Sequence, residues 1–329
     1  MTAAPDGAGA PERFQVLALD GGGAKALFTA HVLARLEDDL GLRVRDAFDL
    51  IAGTSAGGII ALALGAGISP AEIVDQYSSL VSTVFPRRRR AWWTLPRRAA
   101  RPTYAQEALR GALEGVFGQQ KLGDSTKRLL VPAWDVQNGG VYLFKTPHHA
   151  RLRRDWKIPM VDVALATTAA PTYFPAAEVD GQRFIDGGVW ANNPSVVAIT
   201  EAVRTLSVPL GSIRVLNVGT TDKLLGSPSE LDRAGFGLWA TKAVPLVLAA
   251  SSRGGQAVAQ NLLGAERYHR FDAMVHAGLY SLDKIDARSL AGVAGAASRV
   301  LAPDYSNYFA DHIAPTYTPE VGLPPSLPG

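Results

Sequence analysis

Residues 48–58 read FDLIAGTSAGG. Phe48 to Ala52 is a short apolar run that fits a buried strand, and Gly57 onward, GGIIALALGAGI, fits a tightly packed helix. Between them stands Gly53-x-Ser55-x-Gly57, the spacing of a nucleophile elbow, in which a strand turns sharply into a helix and presents a serine hydroxyl at its C-terminal end. Glycines on both sides have no Cβ, so the chain passes close to its neighbours there. The helix that follows directs its N-terminal N–H groups toward negative charge forming at the serine. In a chain with 33 glycines the spacing also arises by chance, so alone it does not make Ser55 catalytic. A membrane span over Ile51–Ile68 is the other competing reading. Interruption by Gly, Thr and Ser and a length short of ~20 apolar residues assign the stretch to a core instead.

Upstream, Phe14 to Asp20 reads as a first buried strand that runs into Gly21-Gly22-Gly23-Ala24-Lys25-Ala26. An amphipathic helix follows, with Leu27, Val32, Leu36 and Leu40 on one stripe and Gly41 as its stop. A glycine run at such a turn exposes backbone N–H groups that bind phosphate or a developing oxyanion, so two function classes compete here. Gly21-x-Gly23-x-x-Ala26 satisfies the dinucleotide fingerprint, which also requires an acidic residue at the end of the second strand. Asp46 and Asp49 precede that strand, and the serine elbow occupies its far end, which favours a hydrolase.

Downstream, Ser69-Pro70-Ala-Glu72 opens a helix with a capping box. A basic segment follows, with Arg87, Arg88, Arg89, Arg90, Arg97, Arg98 and Arg101 around Trp92 and Trp93. It reads either as a solvated loop or as a lid that docks on anionic head groups. Tyr104–Phe117 is an expected helix, and Leu129–Asp135 with Val141–Thr146 an expected hairpin through Asn138-Gly139-Gly140. A second basic cluster contains Lys145, His148, His149, Arg151, Arg153 and Arg154. Its adjacent histidines lack a carboxylate at ligand spacing and read as surface residues. Met160–Ala170 is an expected helix ending before Pro171, and Thr172–Pro175 faces either the site or the core. Arg183-Phe-Ile-Asp186 is an expected strand that ends in a carboxylate and the turn glycines Gly187 and Gly188. Pro194 then starts a helix at its first position. Ser212–Thr220 supplies another strand, and the remainder reads as helices, notably 240–263 and 285–300.

Nearly half the residues are hydrophobic, the formal net charge is +3 and there is no cysteine, which excludes disulfides and thiolate metal sites. No secretory signal is visible, which gives the expectation of a cytosolic protein acting at the inner face of the membrane. The expected organisation is a flexible stretch over 1–12 and a single domain over 13–329. Its motif-bearing core spans about 14–220 and a helical C-terminal part about 221–329. The fold class is α/β: a three-layer α/β/α arrangement with a mainly parallel central sheet and Ser55 on an elbow.

Serine is a poor nucleophile until a base takes its proton. Histidine is the usual base, with His269, His276 and His312 as candidates from chain order. The alternative is a dyad in which Asp186 accepts the proton, which requires a desolvated pocket and a well-stabilised oxyanion.

Taken together, DGGGAKA, GTSAGG and IDGGVWANNP, in that order, resemble the three signatures of the patatin-like phospholipases, and ATTAAPTYFP resembles a further segment of that family. The resemblance covers roughly Gln15 to Val218. It implies a Ser55–Asp186 dyad, an oxyanion hole from Gly21, Gly22 and Gly23, and hydrolysis of fatty acyl esters without metal or organic cofactor. One departure is Ala26, where the family's glycine-loop pattern ends in Gly.

A narrower resemblance, carried also by YLFKTPHH, is to bacterial patatin phospholipases that act as effectors in cyclic-oligonucleotide anti-phage signalling. It implies a cyclic dinucleotide activator and a phospholipid membrane surface, met peripherally, as partners; no DNA or RNA partner is expected, and a homo-oligomer is left open. Arg87, Arg88, Arg89, Arg90, Lys145, His148 and Arg153 are the expected contacts for phosphates or head groups. A constitutive lipase or esterase on the same dyad, and a dinucleotide-binding protein, stand as the rival readings.

Overall fold

A computed structural model describes residues 12–85, 102–220, 236–273 and 287–320; the side chains of its two long C-terminal helices are described from residues 243 and 290. The stretch expected to be flexible lies, but for residue 12, outside these residues. In chain order, β1 (Phe14–Leu19) leads through the glycine turn into α1 (Leu27–Leu40), followed by β2 (Leu50–Gly53), α2 (Ala56–Gly65) and α3 (Pro70–Val84). Then come α4 (Gln106–Phe117), the hairpin β3 (Arg128–Asp135) and β4 (Gly140–Lys145), and α5 (Met160–Thr168). A second hairpin, β5 (Ala177–Val179) and β6 (Gln182–Asp186), is followed by α6 (Gly188–Ala191), α7 (Ser195–Arg204) and β7 (Ile213–Val218). The C-terminal part contributes α8 (Phe236–Leu263), β8 (Tyr268–Phe271) and α9 (Ala287–Tyr308).

The sheet runs in the order β5-β6-β3-β2-β1-β7-β8, with β4 on the other side of β3. Pairings β1–β2, β1–β7, β2–β3 and β7–β8 are parallel, whereas β3–β4, β3–β6 and β5–β6 are antiparallel. Strand period 2 divides the core between the two faces. Leu17, Leu19, Ile51, Leu129, Val131, Leu216 and Val218 point into one core with α1 to α5 and α9. Phe14, Val16, Ala18, Leu50, Ala52, Leu130 and Val215 point into the other, with α7 and α8. The central strands, buried on both faces, are therefore continuously apolar, as a parallel sheet covered by helices requires. Each fully buried Leu or Phe contributes roughly 1.5–3 kcal/mol, and the elbow helix α2 is buried along its whole length.

Local signals hold where chemistry demands them. Gly41 ends α1 in the left-handed region at φ 64°, and Ser69 with Glu72 forms the expected capping box on α3. Pro194 stands one position before its expected place, as the cap of α7, and Asn193 Oδ1 accepts from the Ser195 N–H at 2.9 Å. The C-terminal part is not helical throughout: Tyr268–Phe271 extends the sheet beyond β7. Its YHRF sequence has neither an apolar run nor clean alternation, so nothing local announces a strand.

Candidate active site

Registers on β3 explain how the site forms. Leu130 pairs with both β2 and β4, while Ala133 to Asp135 pair with both β4 and β6. Strands β2 and β6 therefore share one edge of β3 and approach each other from opposite directions. Gly53 of β2 arrives level with Leu19 of β1, and Asp186 of β6 arrives opposite Ala133. The chain leaves the sheet at both points, and the two ends meet over Val131–Pro132.

There the Ser55 hydroxyl donates to Asp186 Oδ2 at 2.7 Å, and both side chains are buried. Ser55 has φ 54° and ψ −125°, a backbone region that non-glycine residues rarely enter and that marks functional sites. α2 starts at the next residue, so its positive end faces Ser55. Gly57 permits this turn, since a Cβ there would stand 2.4 Å from the Leu19 carbonyl oxygen. Gly53 closes β2, and Gly187 lies where a Cβ would meet the Pro132 carbonyl oxygen at 2.2 Å. The other carboxylate oxygen, Asp186 Oδ1, accepts from the Gly188 N–H at 2.7 Å. Burial pushes the Asp186 carboxyl up to about 6, against the opposing pull of the Ser55 and Gly188 hydrogen bonds.

The glycine loop lies beside this pair. Its first member departs from expectation: the Gly21 N–H already donates to the Asn192 carbonyl at 3.0 Å. The Gly21 carbonyl accepts from Thr220 Oγ1 at 3.2 Å and Asn192 Nδ2 at 3.4 Å, which turns the Gly22 N–H of the same planar peptide the opposite way. The Gly22 carbonyl accepts from the Lys25 N–H at 3.2 Å, orienting the Gly23 N–H likewise, and the Tyr77 hydroxyl donates to the Gly23 carbonyl at 2.8 Å. Ala26 is a buried helical residue with φ −64°, a conformation open to any side chain, so the departure from Gly is accommodated. Gly22, Gly23, Ser55 and Asp186 line one cleft, whose walls include Ile59, Leu80, Phe85, Leu109, Phe174 and Leu248. The Tyr173–Phe174 stretch therefore faces the site.

Behind the loop, Asp20 accepts from Asn217 Nδ2 at 2.7 Å and Ser252 Oγ at 2.7 Å, and pairs with Arg270 at 2.8 Å. Arg270 also pairs with Asp272 at 2.7 Å, and two flanking carboxylates raise its pKa despite burial. This buried network ties the start of the glycine loop to α8 and β8.

The histidine candidates stand elsewhere. His312 bonds Asp49 Oδ2 at 2.8 Å before the start of β2, and the His269 ring lies on Tyr308 and Phe309; His276 is outside the described residues. Asp49 accepts from the Gln15 N–H at 2.8 Å at this opposite end of the sheet, so Asp49 does not take the ribose-binding place at the end of β2.

The basic clusters divide. Arg87, Arg88, Arg89 and Arg90 lie outside the described residues. His148 is not a surface residue: it is buried, with Nε2 3.1 Å from Glu201 Oε1 and Nδ1 2.9 Å from Thr146 Oγ1. Lys145 reaches the same Glu201 at 2.5 Å. These two side chains are engaged within the fold, because Glu201 of α7 faces them, whereas Arg153 is exposed and donates to the Ala150 carbonyl at 2.9 Å. Among the described residues no group of His, Cys, Asp and Glu is placed to hold a metal ion.

Sequence reasoning missed Thr167, Tyr77, Asn192, Thr220 and Arg270. Thr167 and Asn192 lie inside quoted motifs, which was a usable signal. Tyr77, Thr220 and Arg270 reach the loop through long-range contacts without a local pattern.

Comparison with known proteins places these features in context. The patatin-like phospholipase family model matches residues 17–199. A cGAMP-activated phospholipase of Pseudomonas aeruginosa is 38% identical over 268 residues, 79% of this chain and 78% of its own length. One from Vibrio cholerae is 38% identical over 248 residues, 68% of this chain and 70% of its own. The crystal structure of VipD from Legionella pneumophila aligns with 89% of this chain and 67% of its own at a TM-score of 0.47 and 12% identity.

Proposed function

Since the chain belongs to the patatin-like phospholipase family, we propose that Ser55 and Asp186 are its catalytic dyad. The observation that carries this reading is the buried 2.7 Å hydrogen bond from Ser55 to Asp186 in an apolar cleft beside the glycine loop. Asp186 takes the hydroxyl proton as Ser55 Oγ attacks the ester carbonyl carbon of a phospholipid. Negative charge moves to the carbonyl oxygen, where the N–H groups of Gly22 and Gly23 and the start of α2 stabilise it. Collapse breaks the ester C–O bond, and the lysophospholipid alkoxide leaves with the proton from Asp186. Water then attacks the acyl-enzyme, Asp186 again takes the proton, and the fatty acid departs as Ser55 regains its hydrogen. Burial suits Asp186 to this work, because a carboxylate raised toward neutrality is a better base than one near 4.

The cleft walls suit an acyl chain, which leaves the head group at the mouth. Among the described residues no helix is long and apolar enough to cross a membrane, and we take contact with lipid to be peripheral. Names of the bacterial relatives support activation by a cyclic dinucleotide; the role of an antiviral effector that degrades the membrane once signalled is proposed from the motif resemblance. Exposed Arg153 and the arginines of residues 87–101 remain the proposed contacts for its phosphates or for lipid head groups, whereas Lys145 and His148 drop out of that set. Asp49 stands before β2, and the serine elbow follows its end, which disfavours the dinucleotide-cofactor alternative.

The test is fatty-acid release from phospholipid vesicles by wild type and Ser55→Ala, with and without cGAMP and other cyclic dinucleotides. Release that requires one nucleotide and is lost in Ser55→Ala supports the whole reading. Release without nucleotide would remove the signalling role and leave a constitutive lipase.

A further inference from the structure

The notch where β2 and β6 meet contains one more side chain. Thr167, in the last turn of α5, is fully buried there. Its hydroxyl donates to the Pro132 carbonyl at 2.6 Å and accepts the Ser55 main-chain N–H at 2.9 Å. Pro132 has no N–H, so at the gap between the two strand ends β3 offers only a carbonyl, and Thr167 converts that acceptor into one that Ser55 can use. The neighbouring Thr168 differs: its hydroxyl turns back to the Ala164 carbonyl of its own helix at 2.6 Å, an ordinary helical back-bond.

We propose that Thr167 is a positioning residue, whose hydroxyl fastens the main chain of Ser55 to β3 and so holds the nucleophile in line with Asp186. The inference rests on the reading of Ser55 and Asp186 as the dyad. Ser55 sits in a costly backbone region, and such a conformation persists only where surrounding contacts over-determine it. β3 is the right anchor, because Asp186 is registered on the same strand through Ala133. The hydroxyl thus refers Ser55 to Pro132, the neighbour of the Ala133 on which Asp186 is registered. The methyl group has a separate task. A Cβ on Gly58 of α2 would stand 2.9 Å from Thr167 Cγ2, so the methyl packs tightly against the elbow helix.

These two tasks separate by substitution. Thr167→Val retains the shape and deletes the hydroxyl, whereas Thr167→Ser retains the hydroxyl and deletes the methyl. The experiment measures kcat and KM for p-nitrophenyl butyrate with cGAMP present, together with thermal melting and the pH profile. Wild type, both Thr167 variants and Ser55→Ala are compared below their melting temperatures. Thr167→Val is expected to lose about tenfold to a hundredfold in kcat at little-changed KM, while Thr167→Ser stays within about threefold of wild type. The acid limb of the profile stays in place in Thr167→Val, because the hydroxyl touches the Ser55 main chain and not the carboxylate. Wild-type kcat in Thr167→Val, with Ser55→Ala inactive, would overturn the positioning role and leave the dyad intact. Equal losses in both Thr167 variants, tracking their melting temperatures, would assign Thr167 to packing. Activity surviving Ser55→Ala would remove the dyad and this inference with it.

Discussion

Asp186 and Ser55 meet across the end-to-end approach of two antiparallel strands, with the serine hydroxyl 2.7 Å from Oδ2. One strand ends in an elbow and the other in a glycine turn, and each turn is possible only where no Cβ intrudes. The geometry gives Asp186 the place of the proposed base and desolvates its carboxyl, while the unusual backbone conformation falls on Ser55, at φ 54°.

The carboxylate must be ionised to accept a proton, and its pKa is raised to about 6. Activity of the folded enzyme is therefore expected to rise with pH through about 6 and level off above it. Initial rates across that range check this. An acid limb centred near the ordinary carboxylate value would show that the carboxylate is not desolvated in the working enzyme.

The same shift has a stability consequence of known sign. A folded-state pKa above the ordinary 3.8 means stabilisation that is fully present below that value and lost as pH rises through about 6. The loss across this window is on the order of 3 kcal/mol, from a shift of about two units. Asp186→Asn is expected to abolish activity and yet melt higher than wild type at alkaline pH, the two curves converging as pH falls below the wild-type pKa. Melting temperatures of both proteins across that range are the check, and a variant that melts lower throughout would contradict it.

Packing of the elbow predicts a contrast between two glycines. A Cβ on Gly57 would stand 2.4 Å from the Leu19 carbonyl oxygen, whereas one on Gly111 of α4 meets nothing within 4 Å. Gly57→Ala is expected to cost about 1–3 kcal/mol or more and to lower activity as the elbow shifts. Gly111→Ala should gain roughly 0.5–1 kcal/mol from helix propensity with activity unchanged. Urea unfolding midpoints and rates for both variants decide this.

Arg270 is the buried partner of Asp20, one residue before the glycine loop. Arg270→Met leaves that carboxylate buried and uncompensated, an expected loss of about 3–5 kcal/mol. Because Asp20 leads into Gly21, the surviving folded enzyme should also show lower kcat. Denaturation and steady-state kinetics of the variant provide the check.

Much of the fold and half of the site are legible in the amino-acid sequence. The apolar run before Gly53, the spacing around Ser55 and the glycine turn after Phe14–Asp20 are local patterns, and local sterics enforce them. Other features depend on which strand lies beside which. That β6 runs against β3, bringing Asp186 head-on toward Ser55, follows from a long-range antiparallel pairing the sequence does not encode locally. Three consecutive glycines read as equivalent donors, but only Asn192, far along the chain, shows that the Gly21 N–H is already engaged. His148 reads as a surface histidine because Glu201, which buries with it, is separated from it by α5, the β5–β6 hairpin and most of α7. The contribution of YHRF to the sheet is hidden because edge position, not composition, makes it a strand.

The measurement that bears most directly on the central claim is fatty-acid release from phospholipid vesicles by Ser55→Ala and Asp186→Asn beside wild type, in the presence of cGAMP. The account predicts that both variants fold, as circular dichroism would report, and that each loses about a thousandfold or more of the wild-type rate. Either variant releasing fatty acid at the wild-type rate would contradict it.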